Sequence, residues 1–146
     1  MRTIQFTATL AFALTAVASP RPTAAQTPWP DRVATAERFR VASINERRFT
    51  HAQFWTAVLP SLSTGKLAVA GVGQSMQGRE LRTVTFGTGP TKVFLWSQMH
   101  GDEATATMAL ADIFAFLVST QPSALRDRIR SDLTVTFLPM LNPDGA

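Results

Sequence analysis

His100 and Glu103 stand three positions apart, separated by Gly101 and Asp102. On a turn, that spacing lets an imidazole nitrogen and a carboxylate converge on one point. The pair is two-thirds of a His, Glu, His zinc site, the kind that leaves a fourth position open for water. The same residues have a plainer use. Asp102 and Glu103 at the start of a helix face the positive end of its macrodipole, so carboxylates are favoured there anyway. A lone histidine in such a turn is more often a cap or surface residue than a ligand. A match as short as H-x-x-E decides nothing by itself.

Positioning the pair requires a strand before it and a helix after it. Residues 93–96 (Val, Phe, Leu, Trp) form an apolar run that reads as a buried strand. Residues 104–118 are apolar-periodic and read as a helix, with Met108, Ala111, Phe114 or Ala115, and Val118 as its core stripe. Gln121 and Pro122 stop it. Residues 123–130 are expected to form a short helical turn with Leu125 and Ile129 inward. Residues 133–138 read as a second buried strand, which runs into Asn142, Pro143, Asp144 and Gly145. That tetrad is strong turn chemistry: Pro sets φ, Gly allows positive φ, and Asn and Asp bond nearby amides. Strand, helix and strand in this order predict parallel strands joined by a crossover. Sites in such sheets form at the carboxyl ends of strands. His100 and the 142–145 turn each follow such an end, so the two are expected to be neighbours.

Upstream, Thr50 and Gln53 have the spacing of a capping box. The helix they start is expected to bury Phe54, Trp55, Val58, Leu59 and Leu62, with Pro60 kinking it or ending it early. His51 reads as an exposed first-turn residue, not a ligand. Residues 67–72 are a short strand candidate, and residues 81–87 alternate with the period of another. Between them, Gly73, Ser75 and Gly78 mark a turn whose glycines serve backbone geometry.

The chain has 146 residues, enough for one small domain, with 45% hydrophobic and 16% charged residues, which fits a globular protein. The net charge is +4, but basic residues are scattered apart from Arg126, Arg128 and Arg130, so no nucleic-acid footprint is present. With no cysteine there is neither a disulfide framework nor a cysteine-based zinc site.

Residues 1–25 read as a secretory signal peptide: Arg2 opens it, an apolar stretch spans 6–18, and small-residue cleavage sites follow Ala18 and Ala25. Cleavage after Ala25 is preferred. The apolar run is short for a membrane span, so no stable anchor is expected after cleavage. Export to the periplasm or the medium follows. Residues 26–48 read as a linker or short leader, extended and Pro-rich over 26–31 and carrying the basic pair Arg47 and Arg48.

Together these residues resemble the zinc carboxypeptidase family of the carboxypeptidase A type. Three segments carry the likeness, in family order. Residues 73–79 resemble its G-x-S-x-x-G-R segment, residues 99–103 its H-x-x-E pair, and residues 138–145 the segment ending in N-P-D-G. The resemblance covers residues 49–146 and implies an α/β fold of the phosphorylase/hydrolase type, a mixed sheet with flanking helices, here incomplete. It implies one Zn²⁺ held by His100 and Glu103, polarising the scissile carbonyl of a peptide or protein substrate and activating water. Gly78, Arg79, Asn142, Pro143, Asp144 and Gly145 would be structural motif, with Arg79 and Asp144 as framework. Asp102 departs from the Arg of some digestive members, which leaves substrate preference open. The family's third zinc ligand, carboxylate-gripping residues, active-site Tyr and Glu general base come downstream of N-P-D-G and are not among these residues. The chain is therefore expected to be the N-terminal half of a catalytic domain, inactive alone, with a strand edge and apolar faces exposed. Two other readings stand beside this one. One is a zinc amide deacylase of the aspartoacylase or succinylglutamate desuccinylase kind, and the other a secreted binding module that lost catalysis.

Overall fold

Four strands hydrogen-bond in the order β1-β2-β4-β3, with helices packed against one face. The computed structural model describes residues 29–146. The expected signal peptide, both cleavage sites and the start of the Pro-rich stretch lie outside the described residues. The elements are α1 (Trp29–Glu37), α2 (His51–Leu62), β1 (Ala68–Gln74), β2 (Glu80–Phe86), β3 (Thr91–Trp96), α3 (Thr105–Val118), α4 (Ala124–Asp132) and β4 (Leu133–Leu138), followed by a 3-10 turn (Pro143–Gly145).

β1 and β2 form an antiparallel hairpin with an irregularity between Gly71 and Gly73. β2 then pairs antiparallel with β4, and β4 pairs parallel with β3. The fold is the expected mixed α/β sheet with flanking helices. β3, α3 and β4 supply the parallel pair joined by a crossover, in the register Val93 to Val135 and Leu95 to Phe137.

Period-two alternation places Val84, Phe86, Val135 and Phe137 in the core, where they join Phe54 and Val58 of α2 and Ala111 and Phe114 of α3. Phe114 meets Phe137 edge-on at 5.3 Å between ring centroids. The α3 stripe is Thr107, Leu110, Ala111, Phe114 and Leu117, with Met108 and Val118 only partly buried. Ala111 and Phe114 are buried as expected, whereas Leu110 and Leu117, not Met108 and Val118, complete the stripe. α2 opens with the capping box at Thr50 and Gln53. It buries Phe54, Trp55, Val58 and Ser61, while Leu59 turns to solvent. Pro60 lies inside α2 and lacks the N–H that would reach the Thr56 carbonyl, yet α2 runs on to Leu62, where Ser63 N–H donates to the Leu59 carbonyl.

Three further expectations need correction. β3 is not buried: it is a sheet edge among the described residues, and Phe94 and Trp96 are each 52% exposed. Their side chains share the face that no described helix covers. Leu125 is exposed, and only Ile129 of α4 reaches the core. Trp29 and Asp31, expected in an extended stretch, open α1. The segment after α1 packs on the domain through Phe39 on Phe116 (5.2 Å), Val41 N–H to Asp112 Oδ1 (2.7 Å), and the buried Ile44 and Phe49.

Candidate functional site

Beyond β3 the chain turns sharply. Ser97 is buried and its hydroxyl meets that of Thr107 at 2.8 Å, fastening the strand end to α3. Gln98 follows in the left-handed region at φ 52°, a conformation that costs a non-glycine residue about 1–3 kcal/mol. Its Nε2 donates to the Gly101 carbonyl at 2.5 Å, and the Glu103 N–H donates to the His100 carbonyl at 3.1 Å. These bonds close the turn and bring His100 Nδ1 to 3.0 Å from Glu103 Oε2. Both side chains are 67% exposed, so the converging nitrogen and oxygen face solvent.

The loop after β4 is laced to this one. Leu141 N–H donates to the Ser97 carbonyl (2.9 Å) and Asn142 N–H to the Gln98 carbonyl (3.0 Å). Met140, the counterpart of Gln98, is also left-handed at φ 54°. Asn142 Oδ1 accepts from Gly145 N–H at 3.3 Å, which winds Pro143–Gly145 into its 3-10 turn. Gly101 and Gly145 then meet backbone to backbone: a Cβ on Gly101 would overlap Gly145, and one on Gly145 would lie 3.0 Å from Gly101 Cα. The two loops are neighbours, as expected from their positions after adjacent parallel strands.

Asp144 ties a third loop to these two. Its Oδ1 accepts from the Ser75 hydroxyl (2.7 Å) and Arg79 Nη1 (2.5 Å), and its Oδ2 from the Gln77 N–H (3.0 Å). Ser75 Oγ in turn accepts from Arg79 N–H at 3.0 Å. Gly78 takes φ +75° to let this turn close. Desolvation pushes the Asp144 carboxyl up, but the bonds from Ser75, Arg79 and Gln77, with the Arg79 charge, outweigh it. The result is a carboxyl held below its ordinary value.

The tertiary structure thus brings His100 and Glu103 together and clusters Gly78, Arg79, Asn142, Pro143, Asp144 and Gly145 beside them. His51 is elsewhere and only half-exposed. Its Nε2 accepts from Trp55 Nε1–H at 2.9 Å and lies 2.9 Å from the Glu80 carbonyl. Sequence reasoning missed Gln98. Glutamine carries no preference for a left-handed turn, and no periodicity marks it. Gln98 Oε1 is buried with no hydrogen-bond partner, a state that costs about 1–3 kcal/mol.

An imidazole nitrogen and a carboxylate oxygen suit zinc in donor type, and their convergence in the open suits it in access. No group of three or more His, Cys, Asp or Glu side chains gathers among the described residues. The fit is that of two donors of a larger set.

A sequence profile of the zinc carboxypeptidase family matches residues 61–146, which takes in all three loops. This chain belongs to that family. Solved structures agree on the fold of this zinc carboxypeptidase chain. A metallo-carboxypeptidase from Burkholderia cenocepacia superposes with a TM-score of 0.60 at 18% identity, over 66% of this chain and 28% of its own. Carboxypeptidase A from Helicoverpa armigera gives 0.52 at 15% identity, over 80% of this chain and 32% of its own. The chain therefore spans about a third or less of the structures it resembles. No curated protein sequence matches it.

Proposed function

We propose that this chain carries the first two zinc donors of a metallocarboxypeptidase, with His100 binding through Nδ1 and Glu103 through its carboxylate. The observation that carries the reading is the 3.0 Å approach of His100 Nδ1 to Glu103 Oε2 at the carboxyl end of β3. When bound, zinc supplies Lewis acidity toward a scissile peptide carbonyl and toward water.

The chain's own residues do the positioning. The Ser97 and Gln98 bonds fix the turn, Gly101 seats it on Gly145, and Asp144 holds the neighbouring 75–79 loop. Two donors are too few to retain the ion firmly, and the only other histidine, His51, is engaged elsewhere. A third donor has to come from outside these residues, as do the general base and the groups that grip a substrate's C-terminal carboxylate. Alone, the chain is expected to be inactive.

Residues 1–25 direct export in this reading, 26–48 form a linker or leader, and 49–146 form the N-terminal part of the catalytic domain. Among the described residues no helix is long and apolar enough to cross a membrane.

The test is zinc titration of the chain, followed by calorimetry, for the native sequence, His100→Ala and Glu103→Gln. Weak one-site binding that both substitutions abolish supports the assignment. Binding unchanged in either variant overturns it.

A further inference from the structure

A pocket of about 440 Å³ borders the turn that carries His100 and Glu103. One wall includes Arg47, Arg48 and Thr50, just before α2; the other includes Gln98 and Asp102, and Ala146 also lines the pocket. Both arginines are exposed, and neither guanidinium forms an ion pair among the described residues. Two adjacent unpaired guanidiniums are a fork of donors suited to carboxylate. The positive end of the α2 macrodipole adds to the same potential. The opposite wall has the reverse character. Asp102 forms no ion pair among the described residues.

We propose that this pocket receives an acidic side chain of a peptide, its carboxylate held by Arg47 and Arg48 and a backbone N–H directed at the Asp102 carboxylate. The proposal rests on the zinc reading above for what the peptide is, namely substrate. Gly101 and Asp102 are the two residues between the proposed zinc donors, so a chain lying along that turn passes both. Arg47 and Arg48, at the end of the 26–48 segment read as a linker, then act as specificity residues that favour Asp or Glu near the scissile bond. A simple anion engages only the arginines, whereas a peptide with an acidic side chain also offers an N–H to Asp102.

The test is fluorescence anisotropy of the 146-residue chain, with a chelator present, against two fluorescein-labelled peptides. One carries a single glutamate among alanines, and the other a glutamine in its place. The glutamate peptide is expected to bind more tightly, with a preference that shrinks as salt is raised. Arg47→Ala with Arg48→Ala should weaken it roughly tenfold. Arg47→Glu with Arg48→Glu should switch the preference to a lysine peptide, which a merely damaged fold would not do. Equal affinity for the two peptides, or no loss in the double alanine variant, overturns the proposal. Loss of zinc binding with the glutamate preference intact would instead remove the zinc reading and leave the pocket standing.

Discussion

Gly101 and Gly145 meet without side chains between them, and this contact joins the turn bearing His100 and Glu103 to the 3-10 turn after β4. A methyl at Gly101 overlaps the Gly145 backbone, whereas one at Gly145 lies 3.0 Å from Gly101 Cα and 3.2 Å from Asn142 Nδ2. Gly101→Ala is therefore expected to cost about 1–3 kcal/mol, the range for overpacking a fitted site, and Gly145→Ala less. Urea unfolding of the two variants checks the order. Equal stabilities would mean that the contact is slack.

Asp144 links pH to stability. Its carboxyl lies below its ordinary value in the folded chain, so its contribution is fully present above the unfolded pKa of about 4. It is lost as pH falls through the lower, folded value. Asp144→Asn should lower the melting temperature at pH 7, with the gap from the native chain closing as pH drops below about 4. A gap independent of pH would show that the carboxylate charge contributes nothing.

Thr50 accepts from the Gln53 N–H at 3.3 Å, and Gln53 Oε1 accepts from the Thr50 N–H at 2.7 Å. Thr50→Ala should destabilise the domain by about 1 kcal/mol, and Thr50→Ser much less. Chemical denaturation of both variants measures the difference. The serine variant controls for the loss of the methyl group.

Phe94 and Trp96 lie 5.9 Å apart on the open face of the edge strand β3. An edge with unpaired backbone and exposed aromatics invites pairing with other chains. Phe94→Lys with Trp96→Lys should reduce concentration-dependent association in sedimentation velocity while leaving the helical circular dichroism unchanged. Association of the native chain that survives the double substitution would place the contact elsewhere.

Much of this was legible in sequence because it is local. The His100 and Glu103 spacing, the Thr50 and Gln53 box and the order strand, helix, strand each lie within one or two turns of chain. Backbone geometry over such distances follows from residue type. The neighbourhood of the two turns was also legible, since adjacent parallel strands end on the same side of a sheet.

Pairings between distant segments were decided only by tertiary structure. Nothing local to residue 144 says that its carboxylate closes a turn at 75–79, 65 to 69 positions away. The apolar run of β3 predicted burial, yet apolarity records what a strand can be covered by, not whether a cover is among the residues at hand. Leu125, and Met108 and Val118 at the two ends of the α3 stripe, failed for the same reason. Periodicity defines a face, but which residues on that face reach the core depends on how far the neighbouring element stands away. The pocket between Arg47, Arg48 and Gln98 exists only because α2 is packed beside the turn after β3, a relation no stretch of sequence contains.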